Sequence, residues 1–305
     1  MASPQLEQAN AMFAEVYAAL LAGGPETSID ELREAWEQWS ERFPVPDGVA
    51  FAEQEVAGID ALVSVAPGAS SEQTILYLHG GGYVIGSARS HRALTAELSR
   101  ATGARVVSLN YRMGPEHPHP AAVEDATAAY RAIVADGTSP SSIVIAGDSA
   151  GGGLTLATVL ALRDAGDQLP GGAVGLSPWT DLALTGESLT AFADTDPILG
   201  GPLMEGMVLM YTGGQDAREP LISPLYGDFT GLPPLLLIVG SAERLRDDSL
   251  RVAERAREAG VDVTLVVGED MPHVYPIFSS FLPEAQEAVG HIARFVAERA
   301  VVAAS

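Results

Sequence analysis

The chain has 305 residues, a formal net charge of −23 and no cysteine, and all 17 of its basic residues are arginine. This length is sufficient for one large α/β domain or two small ones. A strongly acidic surface repels polyanions, so we expect no nucleic-acid partner. Without cysteine the chain can form neither disulfides nor thiolate metal sites, and a cysteine nucleophile is excluded.

The sequence gives no indication of export or membrane insertion. Residues 1–7 contain an acidic residue and no basic one, whereas a secretory signal begins with a positively charged region. No uninterrupted apolar stretch approaches about 18 residues, the length that indicates a membrane-spanning helix. We therefore expect a cytoplasmic protein without a membrane span.

The first predicted elements are two amphipathic helices at residues 6–21 and 29–43. Ser28 and Glu31 have the spacing of a capping box, which marks the start of the second helix. A Gly-Gly-Pro break at residues 23–25 separates the two helices.

Strands and helices alternate through the rest of the chain. An alternating run at residues 53–65 predicts an opening pair of strands. Further strands are predicted at residues 75–79, 105–109, 143–147, 173–176, 235–239 and 261–267, and helices at residues 90–100, 121–135, 153–165, 247–259 and 284–300. This order predicts an α/β fold with a mostly parallel central sheet, right-handed crossovers and helices on both faces.

The alternation is interrupted at about residues 183–224. There a segment rich in proline and glycine precedes an apolar, helix-like run that contains Met207 and Met210. A long connection would explain this segment, but insertions at such places often cover active sites. We therefore predict a helical cap, built from residues 1–45 and this insertion, on a catalytic domain of residues 46–305.

Residues 147–152 read Gly-Asp-Ser-Ala-Gly-Gly and lie between a predicted strand and a predicted helix. This is the arrangement of a nucleophile elbow, in which glycines allow a serine to occupy a strained turn above the sheet edge. The helix N-terminus and the next backbone N–H can then stabilise an anion on the substrate. A turn that only packs tightly would use the same glycines. As an elbow, the segment predicts Ser149 as the nucleophile of acyl transfer.

A second glycine-rich turn follows the first strand of the parallel region. His79 is followed by three glycines and Tyr83, a pattern that supplies oxyanion donors in lipases and esterases. The spacings of phosphate-binding glycine loops do not occur here. We predict that the backbone N–H groups of Gly81, Gly82 and Ala150 form an oxyanion hole.

A serine nucleophile needs a base that is itself oriented by a carboxylate, and after such an elbow the expected chain order is serine, acid, histidine. Two histidines follow Ser149. His273 lies in a loop beyond the last predicted strand, whereas His291 lies inside the terminal helix, so we predict His273 as the base. Glu243, in the loop after a strand, is the predicted acid. Asp247, in the first turn of the next helix, is the alternative.

Four segments resemble, in order, the hormone-sensitive-lipase group of α/β-hydrolases, the bacterial family IV esterases. They are the two glycine-rich turns, residues 111–122, which read Tyr-Arg-Met-Gly-Pro-Glu-His-Pro-His-Pro-Ala-Ala, and residues 177–182, which read Ser-Pro-Trp-Thr-Asp-Leu. Met113 and Gly114 replace the group's Leu-Ala. The likeness spans roughly residues 75–295. It implies the α/β-hydrolase fold and hydrolysis of carboxylic esters through an acyl-enzyme, with no metal and no cofactor.

The chain departs from the group at the acid. Many members carry Asp-Pro-Leu-Arg-Asp where residues 243–247 read Glu-Arg-Leu-Arg-Asp. Glutamate can orient an imidazole as aspartate does, provided that the loop accommodates its extra methylene. Similar Glu-x-Leu sequences occur in relatives described as monoterpene ε-lactone hydrolases, so the resemblance keeps a lactone substrate open.

The resemblance leaves further alternatives. An amidase shares the same catalytic groups. The plant gibberellin receptors resemble the group but lack the histidine, so the presence of His273 disfavours a ligand-binding receptor. Members often pair, which makes a homodimer an expectation.

Four residues are predicted to bind the substrate: Tyr83, Trp36, Met207 and Tyr211. They would form an apolar pocket for short or medium acyl chains, although they would serve equally to join the cap to the core. We therefore predict a serine carboxylic-ester hydrolase that acts on short- to medium-chain esters, with a small-molecule ester or lactone as its substrate.

Overall fold

A computed structural model describes residues 2–22, 24 and 27–303. Of the predicted break at residues 23–25, positions 23 and 25 therefore lie outside the described residues. The helices are α1 (Gln5–Leu21), α2 (Ile29–Ser40), α3 (Arg92–Thr102), α4 (Ala121–Ala135), α5 (Ala150–Ala165), α6 (Ser188–Ala191), α7 (Gly201–Thr212), α8 (Arg246–Glu258) and α9 (Pro283–Ala303). The strands are β1 (Ala50–Val56), β2 (Ile59–Val65), β3 (Ser70–Leu78), β4 (Ala104–Leu109), β5 (Ile143–Asp148), β6 (Gly172–Leu176), β7 (Leu235–Gly240) and β8 (Val263–Gly268).

Within the described residues, eight strands form one sheet in the order β1-β2-β4-β3-β5-β6-β7-β8. β1 and β2 are antiparallel to each other, and β2 is antiparallel to β4. All pairs from β4 to β8 are parallel. Parallel strands end at the same edge of a sheet, so the loops that follow β3, β5, β6, β7 and β8 all leave that edge. The predicted mostly parallel sheet is confirmed.

Helices flank this sheet, with α3 in contact with α9 and α4 in contact with α5. α5 follows the buried strand β5 and begins at Ala150, three residues before the predicted start. Glycine has a low helix propensity, which hides this first turn in the sequence. The glycines are needed for close packing, because a Cβ at Gly151 would overlap the carbonyl oxygen of Leu78 and one at Gly153 would overlap that of Trp179.

The N-terminal helices pack on the core through aromatic side chains. The predicted capping box is confirmed: Glu31 N–H donates to Ser28 Oγ at 3.2 Å, and Ser28 N–H donates to Glu31 Oε2 at 2.8 Å. Phe13 of α1 stacks on Trp39 of α2 with ring centroids 5.7 Å apart, and it meets Phe278 edge-on at 4.7 Å. Phe278 follows β8, so these helices pack beside the loops at the carboxyl edge of the sheet.

The segment between β6 and β7 carries α6 and α7 and is held at two points. The hydroxyl of Tyr17 in α1 lies so close to Gly200 that a side chain at Gly200 would overlap it. The carboxylate of Asp196 accepts the backbone N–H of Arg244 at 2.9 Å, and the Arg244 guanidinium donates to the carbonyl oxygen of Leu199 at 2.9 Å. The insertion therefore contacts both α1 and the loop after β7.

No helix within the described ranges combines the length and the apolar character that crossing a membrane requires.

Candidate active site

Ser149 lies between the end of β5 and the first residue of α5 in a strained backbone conformation, with φ 52° and ψ −120°. A non-glycine residue adopts positive φ only where its surroundings enforce it. The surroundings here are two glycines: a Cβ at Gly147 would overlap the carbonyl oxygen of Gly151, and one at Gly151 would overlap that of Leu78. The turn is therefore possible only with this glycine spacing, as expected for a nucleophile elbow.

His273 lies in the loop after β8 and joins Ser149 to Glu243. Its Nε2 is 2.9 Å from Ser149 Oγ, and its Nδ1 is 3.0 Å from Glu243 Oε1. All three side chains are buried. In this geometry Nδ1–H donates to the carboxylate and Nε2 is free to accept the serine proton, the tautomer that general-base catalysis requires.

Glu243 has partners for both carboxylate oxygens. The oxygen that does not face His273 accepts the hydroxyl of Ser177 at 2.7 Å and the N–H of Gly240 at 2.8 Å. The Ser177 oxygen in turn accepts the N–H of Val274 at 3.0 Å. The sequence reasoning assigned no role to Ser177, although its segment at the end of β6 is one of the four that resemble the family.

The pKa of His273 is raised above its ordinary value. Burial by itself would lower that pKa, because it disfavours the charged imidazolium. The negative charge of Glu243 and its hydrogen bond to the ring outweigh burial, with smaller contributions from the charges of Asp196 and Asp148. The surroundings of His273 therefore favour its protonated form.

Asp247, the alternative acid, uses its carboxylate elsewhere. One oxygen accepts the backbone N–H of Ser188 at the start of α6 at 2.8 Å, and the other pairs with the Arg246 guanidinium at 3.2 Å. The structure thus brings Glu243 to His273 and directs Asp247 toward the insertion.

The glycine turn after β3 faces the same site. Gly81 and Gly82 have φ of 114° and 62°, conformations that favour glycine. Within the described residues, no hydrogen bond engages the backbone N–H groups of Gly81, Gly82 or Ala150. Ala150 is also the first residue of α5, where the helix dipole favours negative charge. These three donors are therefore available to an oxyanion.

A narrow cavity of about 60 Å³ opens above Ser149. Its lining includes Gly81, Gly82, Asp148, Ser149 and His273, together with two of the predicted substrate-binding residues, Trp36 and Met207. The remaining lining residues are apolar: Phe13, Leu20, Ile85, Trp179, Ile198, Leu199, Leu203, Met204, Val274 and Ile277. Two of them, Phe13 and Leu20, come from α1. The sequence does not assign them to the pocket, because a helix face by itself does not indicate what it packs against.

Two of the predicted substrate-binding residues, Tyr83 and Tyr211, do not line this cavity. Their rings stack on each other with centroids 3.7 Å apart and an interplanar angle of 8°. Both side chains are buried. We therefore correct their placement to behind the cavity lining, because each side chain is only 1% exposed and one face of each ring is covered by the other.

Within the described part of the chain, no group of three or more histidine, cysteine, aspartate or glutamate side chains could hold a metal ion.

Known proteins share this fold and these motifs. The family described as alpha/beta hydrolase fold matches residues 75–277. A solved esterase from the bacterial hormone-sensitive lipase family superposes with a TM-score of 0.93 at 44% identity, covering 98% of this chain and 99% of that one. The chain belongs to the hormone-sensitive lipase family of α/β-hydrolases. The resemblance predicted from the four sequence segments is thereby confirmed.

Curated members of this family include two that match most of the chain. An acetyl-hydrolase of Streptomyces hygroscopicus is 47% identical over 225 residues, which is 74% of this chain and 75% of that protein. An esterase of Acinetobacter venetianus is 36% identical over 265 residues, 87% of each chain.

Proposed function

We propose that this member of the hormone-sensitive lipase family is a serine carboxylic-ester hydrolase for short- to medium-chain esters, with Ser149 as nucleophile, His273 as base and Glu243 as acid. Ester hydrolysis is the activity for which its relatives are named, and these names favour esters over lactones. The observation that carries the assignment is the unbroken hydrogen-bond chain from Ser149 through His273 to Glu243 beneath the cavity.

The reaction has two acyl-transfer steps. Ser149 Oγ attacks the ester carbonyl while its proton moves to His273 Nε2, and Glu243 stabilises the resulting imidazolium without accepting the proton. The imidazolium then protonates the leaving alkoxide, and the alcohol departs. A water molecule, deprotonated by the same imidazole, attacks the acyl-serine ester. Collapse of the second intermediate returns the proton to Ser149 and releases the carboxylic acid.

The negative oxygen of both tetrahedral intermediates would be held by the N–H groups of Gly81, Gly82 and Ala150. These donors belong to rigid backbone, so they need little reorganisation as charge develops. Removal of one such donor typically costs roughly 2.7–4 kcal/mol at the transition state.

We also propose that residues 1–45 and the insertion at residues 183–224 form a cap over this site. Phe13, Leu20 and Trp36 come from the first segment, and Ile198 to Met207 from the second, and together they line much of the cavity. The contact of Tyr17 with Gly200 joins the two segments. A cap of this kind would exclude water from the acyl-enzyme except where the reaction needs it.

The cavity supports a preference for small acyl groups. Its volume of about 60 Å³ and its apolar walls fit a few methylene groups rather than a long chain. The relative from Streptomyces hygroscopicus is named an acetyl-hydrolase, which agrees with this size.

Hydrolysis of p-nitrophenyl esters from acetate to palmitate, with ε-caprolactone alongside, tests the proposal. We expect the highest kcat/KM on the short esters, a steep fall toward palmitate, and loss of all turnover in Ser149→Ala. Ser280→Ala removes an exposed serine and serves as the matched control. Full activity in Ser149→Ala would exclude Ser149 as the nucleophile. Faster hydrolysis of the lactone than of any linear ester would identify lactones as the substrate class.

A homodimer, the absence of nucleic-acid binding and a cytoplasmic location stay predictions. The net charge of −23 supports the absence of nucleic-acid binding. Light scattering during gel filtration would report the mass of the species in solution, and a mass of one chain would contradict the dimer.

A further inference from the structure

Directly beneath the oxyanion turn lies a buried pair of titratable side chains, His91 and Asp148. His91 Nε2 is 3.4 Å from Asp148 Oδ2, and both side chains are almost completely shielded from solvent. Asp148 immediately precedes Ser149, and His91 lies just before α3. The mechanism described above uses neither side chain.

The other oxygen of Asp148 holds the oxyanion turn. Oδ1 accepts the hydroxyl of Tyr77 at 2.7 Å and the N–H of Gly80 at 3.0 Å. Gly80 immediately precedes Gly81, one of the three oxyanion donors. A single carboxylate therefore connects the residue next to the nucleophile with the turn that must bind the oxyanion.

The groups around His91 stabilise its charged form. Burial would lower the pKa of His91, but the Asp148 carboxylate outweighs it, with smaller contributions from the backbone carbonyl of Ser87 and the charge of Glu37 on α2. The result is a raised pKa for His91. Ser87 accepts from His91 Nδ1 at 3.1 Å and also donates its hydroxyl to Glu37 at 2.6 Å.

The other titratable groups near Asp148, which are His79, Tyr77 and Tyr111, are neutral. Burial and the charge of His91 lower the pKa of His79 to about 3, so its Nδ1–H donates to the carbonyl oxygen of Gly80 at 2.8 Å. Burial raises the pKa of Tyr77 and of Tyr111 well above the ordinary range. Among these neighbours, His91 is the group whose positive charge the surroundings favour.

The anion is Asp148. Burial would raise its pKa, but the charge of His91 and the hydroxyl of Tyr77 together lower it. Asp148 also lines the substrate cavity. A carboxylate without a counter-ion at this place would repel the negative oxygen of the tetrahedral intermediate, and repulsion between like charges is strong where water is excluded.

We propose that His91 is a positioning residue whose imidazolium neutralises Asp148, so that this carboxylate can hold the oxyanion turn without opposing the charge that forms on the substrate. The proposal rests on the proposed function, in which Ser149 is the nucleophile and the turn binds the oxyanion.

A charge-removal cycle separates this electrostatic role from a packing role. His91→Gln removes the cation and leaves the carboxylate. In Asp148→Asn, the amide oxygen can still accept from Tyr77 and Gly80, and the amide N–H₂ can face a neutral His91. The double variant has neither charge. A packing role predicts that the damage in the double variant is at least as large as in His91→Gln, whereas a neutralising role predicts recovery.

The measured quantities are kcat and KM on p-nitrophenyl butyrate. We expect His91→Gln to lower kcat by about 10- to 100-fold, less than the effect of losing an oxyanion donor entirely, with KM changed by no more than about threefold. The double variant should recover about tenfold in kcat over His91→Gln. His117→Gln, at an exposed histidine, is the matched control and should keep wild-type rates. A double variant no faster than His91→Gln would overturn the proposal.

A second measurement does not depend on any histidine variant folding. In wild-type protein labelled with ¹⁵N-histidine, we expect the His91 ring to carry protons on both nitrogens at pH 7, and Asp148→Asn to return that ring to the neutral form. A neutral His91 in the wild type at pH 7 would refute the proposal. Activity that persists in Ser149→Ala would instead refute the proposed function, so the two failures are distinguishable.

Discussion

At the level of single residues, Ser177 joins the loop that carries Glu243, the proposed acid, to the loop that carries His273, the proposed base. Its hydroxyl donates to Glu243 and accepts the N–H of Val274, the residue after His273. Because Glu243 is fully buried, its second carboxylate oxygen needs partners other than water. Ser177 and Gly240 supply them and hold the Glu243 side chain in place.

The acid assignment can be tested with a pair of variants four positions apart. We expect Glu243→Gln to lower kcat by roughly 10⁴-fold, because the amide neither stabilises the imidazolium nor enforces its tautomer. Asp247→Asn should keep kcat near wild type, since Asp247 binds Ser188 and Arg246 instead. The reverse ranking of the two variants would assign the acid to Asp247.

The raised pKa of His273 predicts the acid limb of the pH–rate profile. A protonated imidazole cannot accept the serine proton, so kcat/KM falls as pH decreases through that pKa. We expect the midpoint above 6.5, the ordinary value for histidine. Loss of the carboxylate charge in Glu243→Gln should move the midpoint to lower pH. A wild-type midpoint below 6.5 would contradict this electrostatic account.

At the element scale, three strands of the parallel sheet deliver the proposed catalytic side chains. Ser149 follows β5, Glu243 follows β7 and His273 follows β8, and all three loops leave the same edge. Helix α7 adds a wall to the cavity. Its Met207 lies so close to Gly82 that a side chain at position 82 would overlap the Met207 sulfur. The sheet edge thus carries the proposed catalytic side chains, and the insertion limits the space above Ser149.

Met207 should therefore restrict acyl length. We expect Met207→Ala to raise kcat/KM on hexanoate and octanoate p-nitrophenyl esters relative to acetate, because the truncation extends the cavity above Gly82. Leu209→Ala is the matched control on the same helix, since Leu209 is 68% exposed and Met207 is 6% exposed. An unchanged chain-length profile in Met207→Ala would place the acyl group elsewhere.

The packing of α5 against β3 predicts a contrast between two glycine substitutions. Gly151→Ala should destabilise the protein by about 1–3 kcal/mol or more, because its Cβ would overlap the carbonyl oxygen of Leu78 and backbone cannot move aside cheaply. Gly206→Ala, in α7 where the nearest atom is Met210 Cε at 4.0 Å, should stabilise by up to about 1 kcal/mol. Urea unfolding measures both free energies, and equal effects would contradict the packing argument.

At the scale of the whole molecule, acidic residues outnumber basic ones by 40 to 17. Some arginines pair with acidic residues of other elements; for example, Arg33 of α2 pairs with Glu116 at 2.8 Å and donates to the carbonyl oxygen of Val84 at 3.0 Å. The excess negative charge still repels itself across the surface and lowers the free energy of unfolding.

Salt should therefore stabilise the protein. Screening shortens the range of charge repulsion from about 30 Å at 0.01 M to about 3 Å at 1 M ionic strength. We expect the unfolding midpoint in urea to rise between 0.05 M and 1 M NaCl. KCl at equal ionic strength should give the same rise, since the effect depends on screening. A flat or falling midpoint would show that local ion pairs outweigh the overall repulsion.

Local sequence patterns were enough to predict the order of the elements and the turn around Ser149. Apolar periodicity and capping residues act over a few positions, so they are visible without knowledge of the fold. The glycines around Ser149 are equally local, because the strain that they relieve lies within one turn.

Contacts between side chains that are distant in sequence could not be predicted in this way. His273 reaches Ser149 across 124 positions and Ser177 reaches Glu243 across 66, and these meetings depend on strand order and loop direction rather than on local pattern. The position of His91 beneath the oxyanion turn and the stacking of Tyr83 on Tyr211 outside the cavity lining also depend on the tertiary structure. Local rules therefore supplied the elements, whereas the close packing of loops from separate strands selected Glu243 over Asp247 as the partner of the histidine.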